Sequence, residues 1–258
     1  MIKFDWSPLD VEFKAWRDAQ ITLPIWWRDD DAIEPTPALE RLTTLSRDIE
    51  IPVHIAVIPK FATPALAALD AFAGATPTLI PLPHGFAHEN HATAGNKKAE
   101  FGPDRAIPAA SQDIKTAFTT LKSLFGDALV PMFVPPWNRI APALFPVLAA
   151  AGYTALSTFT PRRAAYAAPN ITQINTHLDP IAWHAGRSLA SPETLIAQLV
   201  QDLQDRRFGR TDNTEPYGLL THHLVHDEKI WNFTATLLGR LRNGPTTIYR
   251  ANRAPRKS

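Results

Sequence analysis

The sequence predicts an α/β protein, a distorted or incomplete (β/α) barrel with parallel strands wrapped by helices. Three observations lead there. Short runs that are apolar on both faces alternate with helical patterns along the chain, as a parallel sheet covered by helices requires. Several helical stretches begin with proline in the first turn or with a Ser or Thr cap, and several stop at glycine. The polar clusters fall directly after the apolar runs, where a parallel barrel places its functional groups.

Taken in order, the strand-like runs are 24–27, 51–58, 78–82, 129–134, 153–159, 171–175, 217–221 and 246–249. The first is "PIWW", whose Trp26 and Trp27 must point to opposite sides of a strand, so one belongs in the core and the other against a helix. "IPVHIAVI" and "YGLLT" are rich in the branched and aromatic residues that fit a pleated, buried surface. Helices are expected at 37–49, 63–74, 109–126, 141–152, 191–207 and 227–241, the last capped by Asp227. The 24 prolines are spread along the chain, and no repeat or low-complexity segment interrupts it.

Composition narrows what the barrel could do. A chain of 258 residues, 45% hydrophobic, can bury one sizeable core, so residues 1–258 are expected to form a single domain. Its net charge of +1, from 26 basic and 25 acidic residues, offers no general field for nucleic acid or an anionic membrane. The one basic run, residues 250–258, is expected to be a solvated tail. With no cysteine, disulfides and thiolate zinc sites are excluded, and any metal must rest on nitrogen and oxygen ligands. Residues 1–19 mix acids with apolar side chains, unlike an export signal or a membrane span. The expected location is the cytoplasm. Oligomeric state is not legible.

Four polar clusters can converge at one end of such a barrel. Arg28 and the consecutive Asp29, Asp30 and Asp31 follow the first run. "HGFAH" after the third places His84 and His88 four residues apart, so both imidazoles can grip one ion. "PPWNR" supplies Pro136, Trp137, Asn138 and Arg139, and "THHLVHD" supplies His222, His223 and His226. Two histidines and one carboxylate leave an open coordination position, as a hydrolytic zinc site needs. A late-strand histidine suits an acid that protonates a leaving amine. A rival pairing, a second metal grip by His222 and His226, has the same four-residue spacing but lacks a completing carboxylate other than the cap Asp227.

In order, these motifs resemble the polysaccharide deacetylases, the NodB-homology or carbohydrate esterase family 4 group. The resemblance runs from about Pro24 to His222, and its specificity lies in the order of the motifs. It implies a TIM-barrel-like hydrolase that removes an acetyl group from the nitrogen of an acetamido sugar with the help of a divalent ion, Zn2+ first, with Co2+ or Ni2+ as alternatives. It also implies roles. Asp30 would be the general base and Asp31 a metal ligand, with Asp29 and Asp30 as the competing pair. His84 and His88 would be the other ligands, with Gly85 where the family more often has Ser or Thr. His222 would be the general acid, His223 its neighbour, and Pro136, Trp137 and Asn138 would line the substrate cleft.

Two motifs depart from the pattern. Val134 stands where the family has an arginine that steadies the base, so Arg28 or Arg139 would have to replace it. The pair that tunes the acid is blurred, with Asp179 and Trp183 as its candidates. The missing arginine keeps open a catalytically idle barrel that binds sugar or metal. Another metallohydrolase, such as a phosphoesterase, is a third reading, although no glycine-rich phosphate cradle is present. The expected substrate is an N-acetylated sugar or related small molecule.

Overall fold

The computed structural model describes residues 4–251. Most of the basic tail, 252–258, therefore lies outside the described residues. Among the described residues, nine strands and seven α-helices follow in order: α1 (Ser7–Asp18), β1 (Leu23–Ala32), α2 (Pro37–Ile49), β2 (Val53–Val57), α3 (Pro64–Ala67), β3 (Leu79–Pro83), α4 (Ile107–Phe125), β4 (Met132–Phe133), α5 (Phe145–Ala150), β5 (Ala155–Leu156), β6 (Tyr166–Ala168), β7 (Ile171–Gln173), α6 (Pro192–Arg207), β8 (Tyr217–Thr221), α7 (Glu228–Arg242) and β9 (Thr246–Ile248).

The strands form two sheets with two narrow seams. One sheet runs β3-β2-β1-β8 in parallel, with β9 paired to the start of β1; the other runs β4-β5-β7-β6. A single bridge from His84 to Val134 joins β3 to β4, and another from Leu178 to Leu219 joins the segment after β7 to β8. The circuit therefore closes as a distorted (β/α) barrel. Among the described strands, β6 breaks the parallel order by pairing with β7 antiparallel.

Strand alternation sorts β1 between two cores. Trp26 packs with Ala56, Ile80, Leu82, Met132 and Val134 in the barrel interior, and its indole Nε1 donates to the Asn175 carbonyl at 3.0 Å. Trp27 belongs to the larger core between the sheet and its helices and donates to Thr221 Oγ1 at 2.8 Å. Each ring buries its area while its N–H finds a partner.

Caps place the helices as their first residues require. Thr36, Ser191 and Asp227 accept the backbone N–H of Leu39, Thr194 and Ile230 at the starts of α2, α6 and α7. The N-terminal α1 buries Leu9, Phe13 and Trp16 and packs against α6. Buried Glu12 ties the two helices by accepting from Arg207 Nε at 2.8 Å and Nη2 at 3.0 Å.

Candidate metal centre and acid-base site

The side chains with chemical potential gather at the C-terminal ends of β1, β3 and β8, and the first strand decides their arrangement. Trp26, Arg28 and Asp30 share the inward face of β1, as i, i+2 and i+4 must. Register with β2 runs from Asp29 opposite Ile55 to Ala32 opposite Val57. Three steps on β1 thus match two on its neighbour, which is a bulge. Asp31 within it takes a left-handed φ of 76°.

Asp31 faces the two histidines. Its Oδ1 lies 3.1 Å from His84 Nε2 and 3.4 Å from His88 Nε2. His84 Nδ1 donates to the Val134 carbonyl at 3.0 Å, which directs Nε2 toward Asp31, the second-sphere arrangement usual for a metal-ligating histidine. Among the described residues, Asp31, His84 and His88 form the only group of His, Cys, Asp and Glu side chains whose donor atoms converge, within 4.8 Å of one another. Burial pushes the Asp31 carboxyl up, but its hydrogen bond to His84 and the charge of His84, His222 and His88 outweigh this and hold it well below the usual carboxylate range. For His84, burial pulls down while Asp30 and Asp31 pull harder and leave it raised; for His88, burial and the His84 charge leave it lowered. Proton and cation compete for these lone pairs, and a neutral-nitrogen and carboxylate donor set fits a divalent ion such as zinc.

Asp30 is held from its own strand. Arg28 Nε donates to Asp30 Oδ1 at 2.9 Å and Nη2 donates to Oδ2 at 3.0 Å. The remaining guanidinium N–H groups reach Ser157 Oγ at 2.7 Å, the Thr158 carbonyl at 3.3 Å and Asn138 Oδ1 at 2.6 Å. Arg28 is 0% exposed and Asp30 is 2% exposed, so this is a buried, bidentate pair. Of the two arginines that could stand in at Val134, it is Arg28 that meets Asp30. Arg139 instead donates to the Lys98 carbonyl at 2.7 Å, and Val134 packs in the barrel interior.

Asp29 faces outward, on the opposite side of β1 from Arg28 and Asp30. It accepts from Thr221 Oγ1 at 2.6 Å, from the His223 backbone N–H at 3.0 Å and from His223 Nδ1 at 2.5 Å. Burial pushes its carboxyl up and the His223 charge more than offsets it, so the net direction is down; His223 is raised in turn by Asp29 against its own burial.

His222 stands at the end of β8 with its Nδ1 buried and unpartnered among the described residues. Trp183 meets its ring edge to face at 4.7 Å, and Trp183 Nε1 donates to Asp179 Oδ2 at 2.7 Å. Burial raises the Asp179 carboxyl, with His222 acting against the rise. The blurred motif thus brings Asp179, Trp183 and His222 together. His226 lies instead against Trp231 at 4.5 Å, with both nitrogens unpartnered and its pKa pushed down to about 4, chiefly by burial. It joins no converging donor group with His222 among the described residues.

The "PPWN" turn completes the mouth. Trp137 and Asn138 both adopt left-handed backbone, with φ of 55° and 58°. The Trp137 ring sits 4.4 Å from that of His88. Asn138, expected to face substrate, uses its carbonyl oxygen on Arg28, and Pro136 closes over Gly85. Glu100 is a residue that the motifs did not flag: buried, it accepts from the Phe86 and Ala87 N–H groups at 3.2 and 2.7 Å.

No family model matches the chain, and no curated protein matches it in sequence. Solved structures of carbohydrate esterase family 4 polysaccharide deacetylases share its fold. One from Mycobacterium smegmatis, described as a polysaccharide deacetylase, superposes with a TM-score of 0.57 at 15% identity over 80% of this chain and 70% of that one. A family 4 esterase from Streptococcus mutans gives 0.54 at 12% identity over 89% and 87%. The family 4 carbohydrate esterase from Streptomyces lividans, in complex with acetate, gives 0.50 at 14% identity over 86% of each chain.

Proposed function

We propose that this protein is a metal-dependent deacetylase that hydrolyses the acetamido group of an N-acetylated sugar or related small molecule. The observation that carries the reading is the convergence of three units on one barrel mouth: the Asp31, His84 and His88 donor group, the Asp30 carboxylate clamped by Arg28, and His222 beside Trp183 and Asp179. The shared fold with family 4 esterases, one of them solved with acetate, supports it.

Each residue has a separate task. Asp31, His84 and His88 would hold a divalent ion, which when bound would supply Lewis acidity toward an amide carbonyl and a more acidic water. Asp30 accepts the proton of the attacking water. The fork from Arg28 fixes the direction of the carboxylate, while each oxygen keeps a second lone pair for that proton. His222 donates a proton to the amide nitrogen as the carbon–nitrogen bond breaks, because an amine leaves poorly until it is protonated. The new carbon–oxygen bond ends in acetate, and the sugar leaves as a free amine. Trp137 offers an aromatic face for a sugar ring beside His88.

The test pairs two measurements: metal content of protein purified without added metal, and acetate release from N-acetyl-sugars. Bound metal with acetate release supports the reading. Bound metal without acetate release favours an idle, ligand-binding barrel, and a folded protein that takes up no metal overturns the proposal.

A further inference from the structure

We propose that Glu100 is a positioning residue for the His84 and His88 pair, its carboxylate clasping the backbone of the turn between them. The inference rests on the proposed metal site.

The turn from His84 to His88 is unusually constrained. Gly85 has a φ of +55°, and a Cβ there would lie 2.2 Å from Glu100 Oε2 and 2.5 Å from Pro136 Cδ. Only glycine permits both the left-handed backbone and so close an approach. Into the space beside this glycine comes the carboxylate of a residue far along the loop. Its two oxygens accept the N–H groups of Phe86 and Ala87, at 3.2 and 2.7 Å.

Those two residues are the link between the ligands. His84 is fixed independently through Val134, whereas His88 enters the cluster by a left-handed residue with φ 56°. The place of the second imidazole therefore follows the path of residues 85 to 87. Glu100 can set that path because it is itself anchored. It is 0% exposed, its carbonyl accepts from Arg105 Nη1 at 3.3 Å, and the preceding residue, Ala99, donates its N–H to Asn90 Oδ1 at 3.0 Å. Burial pushes the Glu100 carboxyl up while its bonds to the Ala87 and Phe86 N–H groups act against the rise, and the same two bonds replace the hydration that a buried turn would otherwise lack.

The experiment measures Co2+ affinity by chelator competition, together with the visible spectrum of the bound ion and the thermal midpoint of the metal-free protein. In Glu100→Gln the dissociation constant for Co2+ is expected to rise about 10- to 100-fold and the spectrum to change, with the metal-free midpoint within a few degrees of the parent. Asp104→Asn is the control, since Asp104 staples the far end of the same loop through Thr93 and Asn96; it should retain the parent affinity. Parent-like Co2+ binding in Glu100→Gln overturns the inference, and so does an equal loss in Asp104→Asn, which would show general loop stiffening. Should Glu100→Gln fail to fold, Gly85→Ala displaces the same turn from the other side, and parent-like affinity there overturns the inference. A parent protein that binds no Co2+ sinks both the inference and the proposed function. One that binds Co2+ without releasing acetate sinks only the catalytic reading.

Discussion

Replacing Arg28 with methionine asks whether the guanidinium on β1 has taken over the work of the arginine absent at Val134. The substitution keeps the length of the apolar stem and removes five donors at once. Asp30, 2% exposed, then loses both partners that now lie 2.9 and 3.0 Å from its oxygens, and Ser157, Thr158 and Asn138 each lose an Arg28 N–H. Removing one side of a buried pair costs roughly 3–5 kcal/mol, because the other charge stays buried without compensation. For a chain of this size that lowers the thermal midpoint by roughly 6–20 °C. Activity should fall separately, since a base displaced by about 1 Å loses on the order of 10²-fold in rate. Arg28→Lys divides the two effects: it keeps the charge, so most of the stability should return, but it lacks the planar fork, so kcat should stay low. The assays are thermal unfolding and acetate release at saturating metal. If Arg28→Met keeps both the midpoint and kcat, Arg28 does not position Asp30, and the idle-barrel reading gains the support of a motif that is truly incomplete.

Three further outcomes follow from the same geometry. His84→Ala should lose tightly held metal through dialysis, measured by elemental analysis of the purified protein; full occupancy would show that the ligands lie elsewhere. His222→Ala should slow acetate release from an N-acetyl-sugar by roughly 10²- to 10⁴-fold but from 4-nitrophenyl acetate far less, because nitrophenolate leaves without a proton; equal losses on both substrates would remove His222 as the acid. Buried His54 donates from Nδ1 to the Trp27 carbonyl at 3.1 Å and accepts the Ala251 N–H at Nε2, 3.0 Å away, and burial pushes its pKa down to about 4. The unfolded chain, with an ordinary value near 6.5, takes up the proton first, so this contribution is fully present above pH 6.5 and is lost as pH falls from 6.5 toward 4, by about 3 kcal/mol. Urea unfolding across that window should show a flatter pH dependence in His54→Gln; an unchanged slope would refute the assignment.

Elements whose local pattern and tertiary burial agree were legible in the sequence. The helix at 37–49 and the strand at 217–221 have the expected bounds, because the first carries proline and a threonine cap and the second is buried on every residue. β1 runs past its expected end at 27 through the carboxylates to Ala32; a buried strand can carry these charges because Asp29 is met by Thr221 and His223, Arg28 by Ser157 and Asn138, and Asp30 by Arg28 on the same strand. The runs at 129–134 and 153–159 shrink to the pairs Met132–Phe133 and Ala155–Leu156: β4 meets the neighbouring sheet only through the His84–Val134 bridge, and β4 and β5 pair over two residues each. The first helix was missed although Leu9, Phe13 and Trp16 recur at helical spacing behind Pro8. Glu100 was invisible for a different reason: in "KKAEFG" an acid among lysines looks like solvated charge, and only the fold shows its oxygens turned to the 84–88 turn.

In the run "RDDDA" the preferred order, Asp30 as base and Asp31 as ligand, comes from the resemblance and not from strand geometry. Strict strand alternation would put Asp29 and Asp31 on one face and Asp30 on the other, which separates the two carboxylates that a base and a ligand must bring to one mouth. The bulge between Asp29 and Ala32, with Asp31 at a φ of 76°, breaks that parity. Asp29 remains on the outer face with His223, Asp30 on the inner face with Arg28, and Asp31 is turned back inward to the two histidines. Holding a non-glycine residue in left-handed backbone costs on the order of 1–3 kcal/mol, and it persists where surrounding contacts over-determine it. Here those contacts are the two imidazoles on one side and the paired neighbours of Asp31 on the other. The strain at Asp31 is thus the physical means by which three adjacent like charges are given three different partners.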